Sequence, residues 1–153
     1  MKANFKNLLI SILIPVLLGA LVGFLTTESN NYNTIIMPSF APPGFLFPIV
    51  WTILYTLMGI SSYIVSESLS INKDDALKIY FLQLIVNLLW SFIFFTFKLY
   101  LLAFIWIILL IVLVVLMIIR FYKISRVSAY LQIPYLLWLI FASVLNFSIY
   151  LLN

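Results

Sequence analysis

Aromatic rings, small residues and neutral hydrogen-bonding groups recur at helical spacing in three apolar segments of this sequence. At about 100° per residue, each segment gathers them on one stripe. The three stripes are Trp51, Tyr55, Met58, Gly59 and Ser62; Gln83, Asn87, Trp90, Ser91 and Phe94; and Tyr135, Trp138, Ala142, Asn146 and Ile149. Because an amide is costly to bury in an apolar environment without a partner, we expect the three stripes to face one another.

The chemistry that such a cluster predicts is binding of a flat hydrophobic ligand. An apolar pocket with a few orienting hydrogen bonds is typical of small-molecule sites, and stacking on Trp and Tyr requires neither charge nor metal. The alternative is purely structural: the amides bond between helices, and the rings pack a core or form interfacial belts.

The sequence lacks the residue types that several classes of function usually need. The sequence has no histidine and no cysteine, and no Asp, Glu, Lys or Arg lies well inside an apolar segment. Conventional acid–base, nucleophilic and metal-assisted catalysis therefore lack candidates, and no metal site is predicted. Proton-coupled or ion-coupled transport lacks the intramembrane charge that it usually needs.

Composition indicates a membrane protein. Of 153 residues, 66% are hydrophobic and 8% are charged, whereas about 25% are charged in soluble domains. The charged residues bound uncharged stretches that can each hold one span of roughly 20 residues. We predict an all-α, single-domain bundle over residues 1–153, with five transmembrane helices at about 7–25, 45–66, 77–97, 99–119 and 127–152.

The first helix contains Pro15, Gly19 and Gly23 at four-residue spacing. Small residues at this spacing allow another helix to approach closely. The neighbour can belong to the same chain or to a partner chain, and the spacing alone does not decide between them.

The fourth and fifth helices carry further expectations. The fourth consists mostly of Ile, Leu and Val around Trp106, which indicates a lipid-facing helix. Lys98 alone marks the turn before it, so a tight hairpin is predicted. In the fifth helix, Pro134 cannot donate to the carbonyl of Tyr130, which predicts a bend there.

The net charge of +4 is explained by topology rather than by nucleic-acid binding. With five spans, one side of the membrane carries seven basic residues and the other only Lys98. The seven are Lys2, Lys6, Lys73, Lys78, Arg120, Lys123 and Arg126. The positive-inside rule then predicts a cytoplasmic amino terminus and an external carboxyl terminus, most simply in a plasma membrane.

Residues 31–44, the proline loop, are expected to be stiff. Pro38, Pro42 and Pro43 fix backbone torsions before Gly44 leads into the second helix. We expect the loop to cover the pocket as a lid, with rings from Tyr32, Phe40, Phe45 and Phe47 beside Trp51. The alternative is an amphipathic loop that rests on lipid headgroups.

Four ordered motifs give the sequence a family resemblance. They are P-S-F-A-P-P-G-F from Pro38, W-T-I-L-Y-T-L-M-G from Trp51, N-L-L-W-S-F-I-F-F from Asn87 and A-Y-L-Q-I-P-Y-L-L-W-L-I-F-A-S-V-L-N from Ala129. On these residues the chain resembles the TspO/MBR family of tryptophan-rich sensory and translocator proteins, also called peripheral benzodiazepine receptors. The resemblance implies a five-helix bundle, commonly a homodimer, that binds porphyrins such as protoporphyrin IX and, in some members, sterols or benzodiazepine-like drugs.

The resemblance also implies a set of ligand-binding residues. They are Tyr32, Pro42, Phe47, Trp51, Tyr55, Asn87, Trp90, Trp138, Ala142 and Asn146. The implied function is that of a membrane receptor or carrier for porphyrins, with no cofactor required. Because some members are reported to degrade protoporphyrin in light, the alternative is light-dependent oxidation, with Trp51 and Trp138 as the catalytic residues.

Overall fold

A computed structural model describes residues 4–26 and 34–153. Its helices are α1 (Phe5–Leu25), α2 (Leu46–Ser66), α3 (Lys73–Ser91), α4 (Tyr100–Ile124), α5 (Arg126–Tyr130) and α6 (Ile133–Leu152). A π-helical turn, Phe92–Thr96, extends α3, and α5 and α6 together make one crossing. Five helical units are thus long and apolar enough to span a membrane. The prediction of an all-α, five-helix membrane protein is confirmed.

Successive crossings run in opposite directions, so the bundle has two distinct ends. At one end the amide of Asn4 donates to the Tyr63 hydroxyl at 2.7 Å, and the Asn7 amide group donates to Glu67 at 3.0 Å. We call this the basic end, because the basic residues of α1, α3, α4 and α5 lie there. The opposite end, the proline-loop end, carries Lys98 as its one charged residue among those that the structure describes.

Helix α1 packs within the chain against α2. A β-carbon added to Gly59 would overlap the backbone of Ile12 and lie 2.6 Å from the carbonyl oxygen of Ser11. A β-carbon on Gly19 would overlap the ring of Tyr55, whereas Gly23 has open space around it. The stripe of small residues therefore brings α1 onto α2 through Gly19.

The expectation that the fourth helix faces only lipid is wrong. One face of α4 lies in the core, and its members recur every three or four residues: Ala103, Ile107, Leu110, Val114, Met117 and Phe121. The sequence conceals this face because the opposite, exposed face is equally apolar. Burial inside a membrane protein then leaves no contrast in hydrophobicity to detect.

Two boundaries differ from prediction. Helix α3 begins at Lys73, several residues early, so that Asp74 and Asp75 form its first turn, where their charge favours the helix dipole. At Pro134 the chain breaks rather than bends, because α5 ends at Tyr130 and α6 starts with Pro134 in its first turn. A proline there forfeits no internal hydrogen bond.

The predicted hairpin between α3 and α4 is confirmed. Lys98 adopts a left-handed conformation with φ of 53°, and Leu99 then donates its amide to the carbonyl of Ile93 at 3.0 Å. This reversal places the start of α4 directly beside the π-helical turn.

Candidate functional site

A continuous hydrogen-bond chain joins the three predicted stripes in the centre of the bundle. The Tyr55 hydroxyl donates to Oδ1 of Asn87 at 2.7 Å, and Nδ2 of Asn87 donates to the Tyr135 hydroxyl at 2.8 Å. The Tyr135 hydroxyl in turn donates to Oε1 of Gln83 at 2.7 Å. All four side chains are buried. The stripes of α2, α3 and α6 therefore do turn inward, and the central amide is satisfied by two tyrosines.

Trp51 packs its indole against this chain. Its ring lies 5.4 Å from the ring of Tyr55, at an interplanar angle of 30°, and 6.2 Å from the ring of Tyr135, edge to face. These distances are within the range of favourable aromatic pairs. Trp51 thus connects the hydrogen-bonded core to the space on its other side.

That space is a small void. It is lined by the side chains of Trp51, Asn87, Trp90, Ile107, Leu110, Leu139 and Ala142. Its volume is only about 10 Å³, room for roughly one water molecule, whereas ligand pockets typically measure about 300–1,000 Å³. Four predicted site residues therefore converge on an apolar hollow, and that hollow is nearly closed.

A second hydrogen-bonded group lies towards the proline-loop end. Nε1 of Trp90 donates to Oδ1 of Asn146 at 3.0 Å, and Nδ2 of Asn146 donates to the carbonyl of Tyr100 at 2.9 Å. Trp90 also stacks on Phe94, with ring centroids 4.9 Å apart. The pair fixes α3, α4 and α6 relative to one another beside the void.

Trp138 lies among aromatic rings on the same side of the bundle. Its ring is 5.8 Å from that of Phe47, at the start of α2, and 5.4 Å from that of Phe141. Its Nε1 is buried and has no hydrogen-bond partner among the described residues. The two predicted tryptophans of the site are therefore held in different surroundings, Trp51 against tyrosines and Trp138 against phenylalanines.

The described part of the proline loop, 34–44, packs onto the end of the bundle. Ile35, Met37 and Ala41 contact a buried apolar cluster formed by Phe94, Ala103, Leu145 and Ile149. Phe40 lies 6.3 Å from Phe141, centroid to centroid, and Pro42 is half-buried. The loop thus packs on the π-helical turn, α4 and α6, and its action as a lid over the pocket stays a prediction.

Two hydrogen bonds between Ile36 and Asn153, which we call the Asn153 clasp, hold this loop to the end of α6. The amide of Ile36 donates to Oδ1 of Asn153 at 3.2 Å, and Nδ2 of Asn153 donates to the carbonyl of Ile36 at 2.9 Å. One side chain thereby satisfies both backbone groups of a loop residue. No pattern in the sequence pointed to Asn153.

Some predicted roles are not met. Phe45 is 70% exposed, so its expected place in the cover is wrong. Gly59 faces α1, and Ser62 donates to the carbonyl of Gly59 at 3.0 Å, so neither lines the void. Tyr32 lies outside the described residues.

Three lining residues were missed by sequence reasoning. Ile107, Leu110 and Leu139 complete the wall of the void. They carry no polar atom and no ring, so they cannot be distinguished from the many other aliphatic residues of α4 and α6. The only feature of the sequence that could indicate them is their helical spacing with the other buried residues of α4 and α6.

Comparison with known proteins identifies the family of this chain. The model of the TspO/MBR family matches residues 11–152. A tryptophan-rich protein TspO from Archaeoglobus fulgidus is 41% identical over 98% of this chain and 99% of its own length. Protein CrtK from Rhodobacter capsulatus is 35% identical over 80% of this chain and 78% of its own, and human translocator protein is 32% identical over 87% and 82%. The chain belongs to the TspO/MBR family.

Proposed function

We propose that this protein is a membrane receptor or carrier for protoporphyrin IX-like tetrapyrroles and related flat hydrophobic ligands. The observation that carries the proposal is the convergence of Trp51, Trp90 and Ala142, from three helices, on one uncharged hollow beside Asn87. Indole faces supply stacking area, and a small residue leaves room for a macrocycle to approach. The name translocator protein, borne by the human relative, fits a protein that binds and hands on such a ligand.

Binding requires the hollow to open, because about 10 Å³ cannot contain a macrocycle. On the proline-loop side the bundle is covered by the Asn153 clasp, by the ring pairs of Phe40 with Phe141 and of Phe47 with Trp138, and by the contacts of Ile35, Met37 and Ala41 with the buried cluster. We therefore propose that the protein alternates between this arrangement and an open one. A ligand that binds only the open state shifts the population towards it.

A second candidate function is light-dependent oxidation of the porphyrin by dioxygen. The observation that favours this function is the close packing of the Trp51 indole against the rings of Tyr55 and Tyr135. An excited porphyrin accepts an electron from the Trp51 indole and passes it to dioxygen, which becomes superoxide. The oxidised indole, in exchange with the neighbouring phenols, then takes an electron from the macrocycle, so that the porphyrin is the group oxidised, it combines with the superoxide, and the protein groups return to their initial state. Trp51 and Trp138 would be the catalytic residues of this activity, which needs no acid–base group.

The resemblance also leads us to propose a homodimer, with the basic end cytoplasmic and the proline-loop end external in a plasma membrane. Charge distribution among the described residues supports the orientation, because Lys98 is the single charge at the proline-loop end. Labelling of single cysteines introduced at Lys98 and Lys123 with a membrane-impermeant reagent tests it. Labelling at Lys123→Cys rather than Lys98→Cys in intact cells would reverse the orientation.

Tryptophan fluorescence tests the binding proposal. In nanodiscs, protoporphyrin IX should quench the wild-type emission saturably, and Trp51→Phe and Trp138→Phe should each weaken binding by about tenfold, the effect of roughly 1.4 kcal/mol. Trp106→Phe is the matched control, because the Trp106 indole donates to the carbonyl of Val86 and belongs neither to the lining of the void nor to the ring group of Trp138 with Phe47 and Phe141. Quenching without saturation, or equal effects of all three variants, would contradict the proposal.

Illumination separates the two candidate functions. An oxidising protein should convert bound protoporphyrin into a product with a distinct absorption spectrum, and either tryptophan variant should lose this conversion while retaining measurable binding. If bound protoporphyrin bleaches only at the rate of free porphyrin, the oxidation proposal fails and the receptor or carrier proposal remains.

A further inference from the structure

A group of buried polar side chains lies in the half of the bundle nearer the basic end, outside the proposed ligand site. Tyr80, Gln83 and Gln132 are 1%, 0% and 0% exposed. Four of their polar atoms have no hydrogen-bond partner among the described residues: the Tyr80 hydroxyl, Nε2 of Gln83, and both Nε2 and Oε1 of Gln132. Unsatisfied polar atoms are expensive inside a protein, so four of them, on α3 and at the break between α5 and α6, require an explanation.

Tyr80 and Gln83 are buried on α3, and Gln132 is buried at the break between α5 and α6. Gln83 is fixed by its bond from the Tyr135 hydroxyl, and Tyr80 lies one turn before it on α3. Ser62 of α2 lies beside the Tyr80 hydroxyl. Its own hydroxyl donates to the carbonyl of Gly59, and the two hydroxyls do not meet hydrogen-bond geometry.

Gln132 lies between two residues that contact other helices. Ser128, four positions earlier, accepts a hydrogen bond at its carbonyl from Ser61 of α2 at 2.7 Å. Tyr135, three positions later, donates to Gln83 of α3. The Gln132 side chain is fully buried between these two contacts in the sequence, so we infer that it lies between α2 and α3.

The chemistry of the four atoms selects their ligand. The two amide nitrogens donate, Oε1 of Gln132 accepts, and the tyrosine hydroxyl does either. No charged side chain is buried in the part of the chain that the structure describes, so neither an ion nor a metal is favoured. An apolar occupant would leave all four atoms unsatisfied. Water supplies both donors and acceptors and typically makes about three hydrogen bonds when buried.

We propose that Tyr80, Gln83 and Gln132 form an internal water-binding site at the break between α5 and α6. The site adjoins the chain from Asn87 through Tyr135 to Gln83, and Asn87 also lines the void. A ligand that accepts a hydrogen bond from Asn87 takes that bond from Tyr135. A water molecule next to Gln83 then offers Tyr135 a replacement partner, so the water site lets Asn87 change partners.

Hydroxyl-radical labelling tests the site, because radicals made in place from ordered water modify side chains that solvent does not reach. The full-length protein in nanodiscs receives a millisecond X-ray pulse, and peptide mass spectrometry follows Tyr80 and Phe94. Phe94 is the matched reference, since it is an aromatic residue, 4% exposed, in an apolar cluster. We expect Tyr80 to be labelled about tenfold faster than Phe94, because it contacts bound water.

Gln132→Leu should lower Tyr80 labelling by at least about threefold, because it removes two of the four water-binding atoms. Ser143→Ala should leave it unchanged, since the Ser143 hydroxyl bonds only the carbonyl of Ile140 in its own helix. Labelling of Tyr80 as slow as that of Phe94 would overturn the proposal, as would labelling that Gln132→Leu does not reduce. Should Gln132→Leu fail to fold, the wild-type comparison of Tyr80 with Phe94 remains decisive.

Discussion

Asn87 donates its amide hydrogen to the Tyr135 hydroxyl at 2.8 Å, and this bond joins α3 to α6 across residues that are 48 positions apart in the sequence. The same amide accepts from Tyr55 of α2. One side chain therefore links the three helices around the hollow.

Asn87→Leu should destabilise the bundle by about 1–2 kcal/mol, because two tyrosine hydroxyls lose their partner, although hydrogen bonds in membranes average less than this. Unfolding in mixed micelles, followed by circular dichroism, measures the loss. Tyr55→Phe removes only one bond and should cost less than half as much. Equal stability of Asn87→Leu and wild type would show that the chain contributes nothing to folding.

Gly59→Ala should destabilise the protein by about 1–3 kcal/mol, because its β-carbon would overlap the backbone of Ile12, which cannot move as a side chain can. Gly23→Ala is the control within the small-residue set. Its β-carbon meets open space, so alanine should be neutral or stabilising, by up to about 1 kcal/mol, through helix propensity. Thermal unfolding of both variants in the same detergent gives the comparison, and a stable Gly59→Ala would contradict the close packing of α1 on α2.

The contrast between Gly59 and Asn87 shows how far the sequence predicts this site. Helical spacing correctly placed Asn87, Tyr55 and Tyr135 on inward faces, because an amide or a phenol among apolar residues has one favourable direction. Gly59 has no such preference. It shares a stripe with Tyr55, but the neighbour that needs its lack of a side chain is α1.

Other features were beyond prediction for different reasons. The buried face of α4 carries no polarity contrast, so its membership in the core depends on tertiary packing alone. The clasp between Ile36 and Asn153 joins residues 117 positions apart, and no local pattern indicates such a contact. The small volume of the hollow depends on distances of a few ångströms between side chains. The spacing of residues along a helix predicts which way they face but not these distances.

Asn153→Ala should accelerate ligand association, because the proline loop then loses both hydrogen bonds between Ile36 and the end of α6. Loss of two exposed bonds, worth about 1 kcal/mol together, corresponds to roughly a fivefold rise in the rate. Stopped-flow quenching by protoporphyrin IX measures it.

Ser39→Ala, at an exposed position of the same loop, is the control for that measurement. It should leave the association rate unchanged. If Asn153→Ala binds at the wild-type rate, opening does not proceed through the clasp.

Lys98→Gly should stabilise the protein by about 1 kcal/mol, because Lys98 has a φ of 53° and side chains other than glycine disfavour this region. Lys98→Ala also removes the charge but keeps a β-carbon, so it should bring no comparable gain. Parallel thermal melts of the two variants separate backbone strain from charge. A gain shared by both would assign the effect to charge.

Ala142→Leu should abolish or strongly weaken porphyrin binding, because Ala142 lines a void of about 10 Å³ that has no room for three further carbon atoms. Overpacking at such a position typically costs about 1–3 kcal/mol of stability, so the folded variant should remain measurable. Ala20→Leu, on the exposed face of α1, makes the same chemical change without reaching the hollow and should bind as the wild type does. Normal quenching by Ala142→Leu would mean that the ligand sits elsewhere on the bundle, since a side chain that fills the hollow cannot be compatible with a macrocycle inside it.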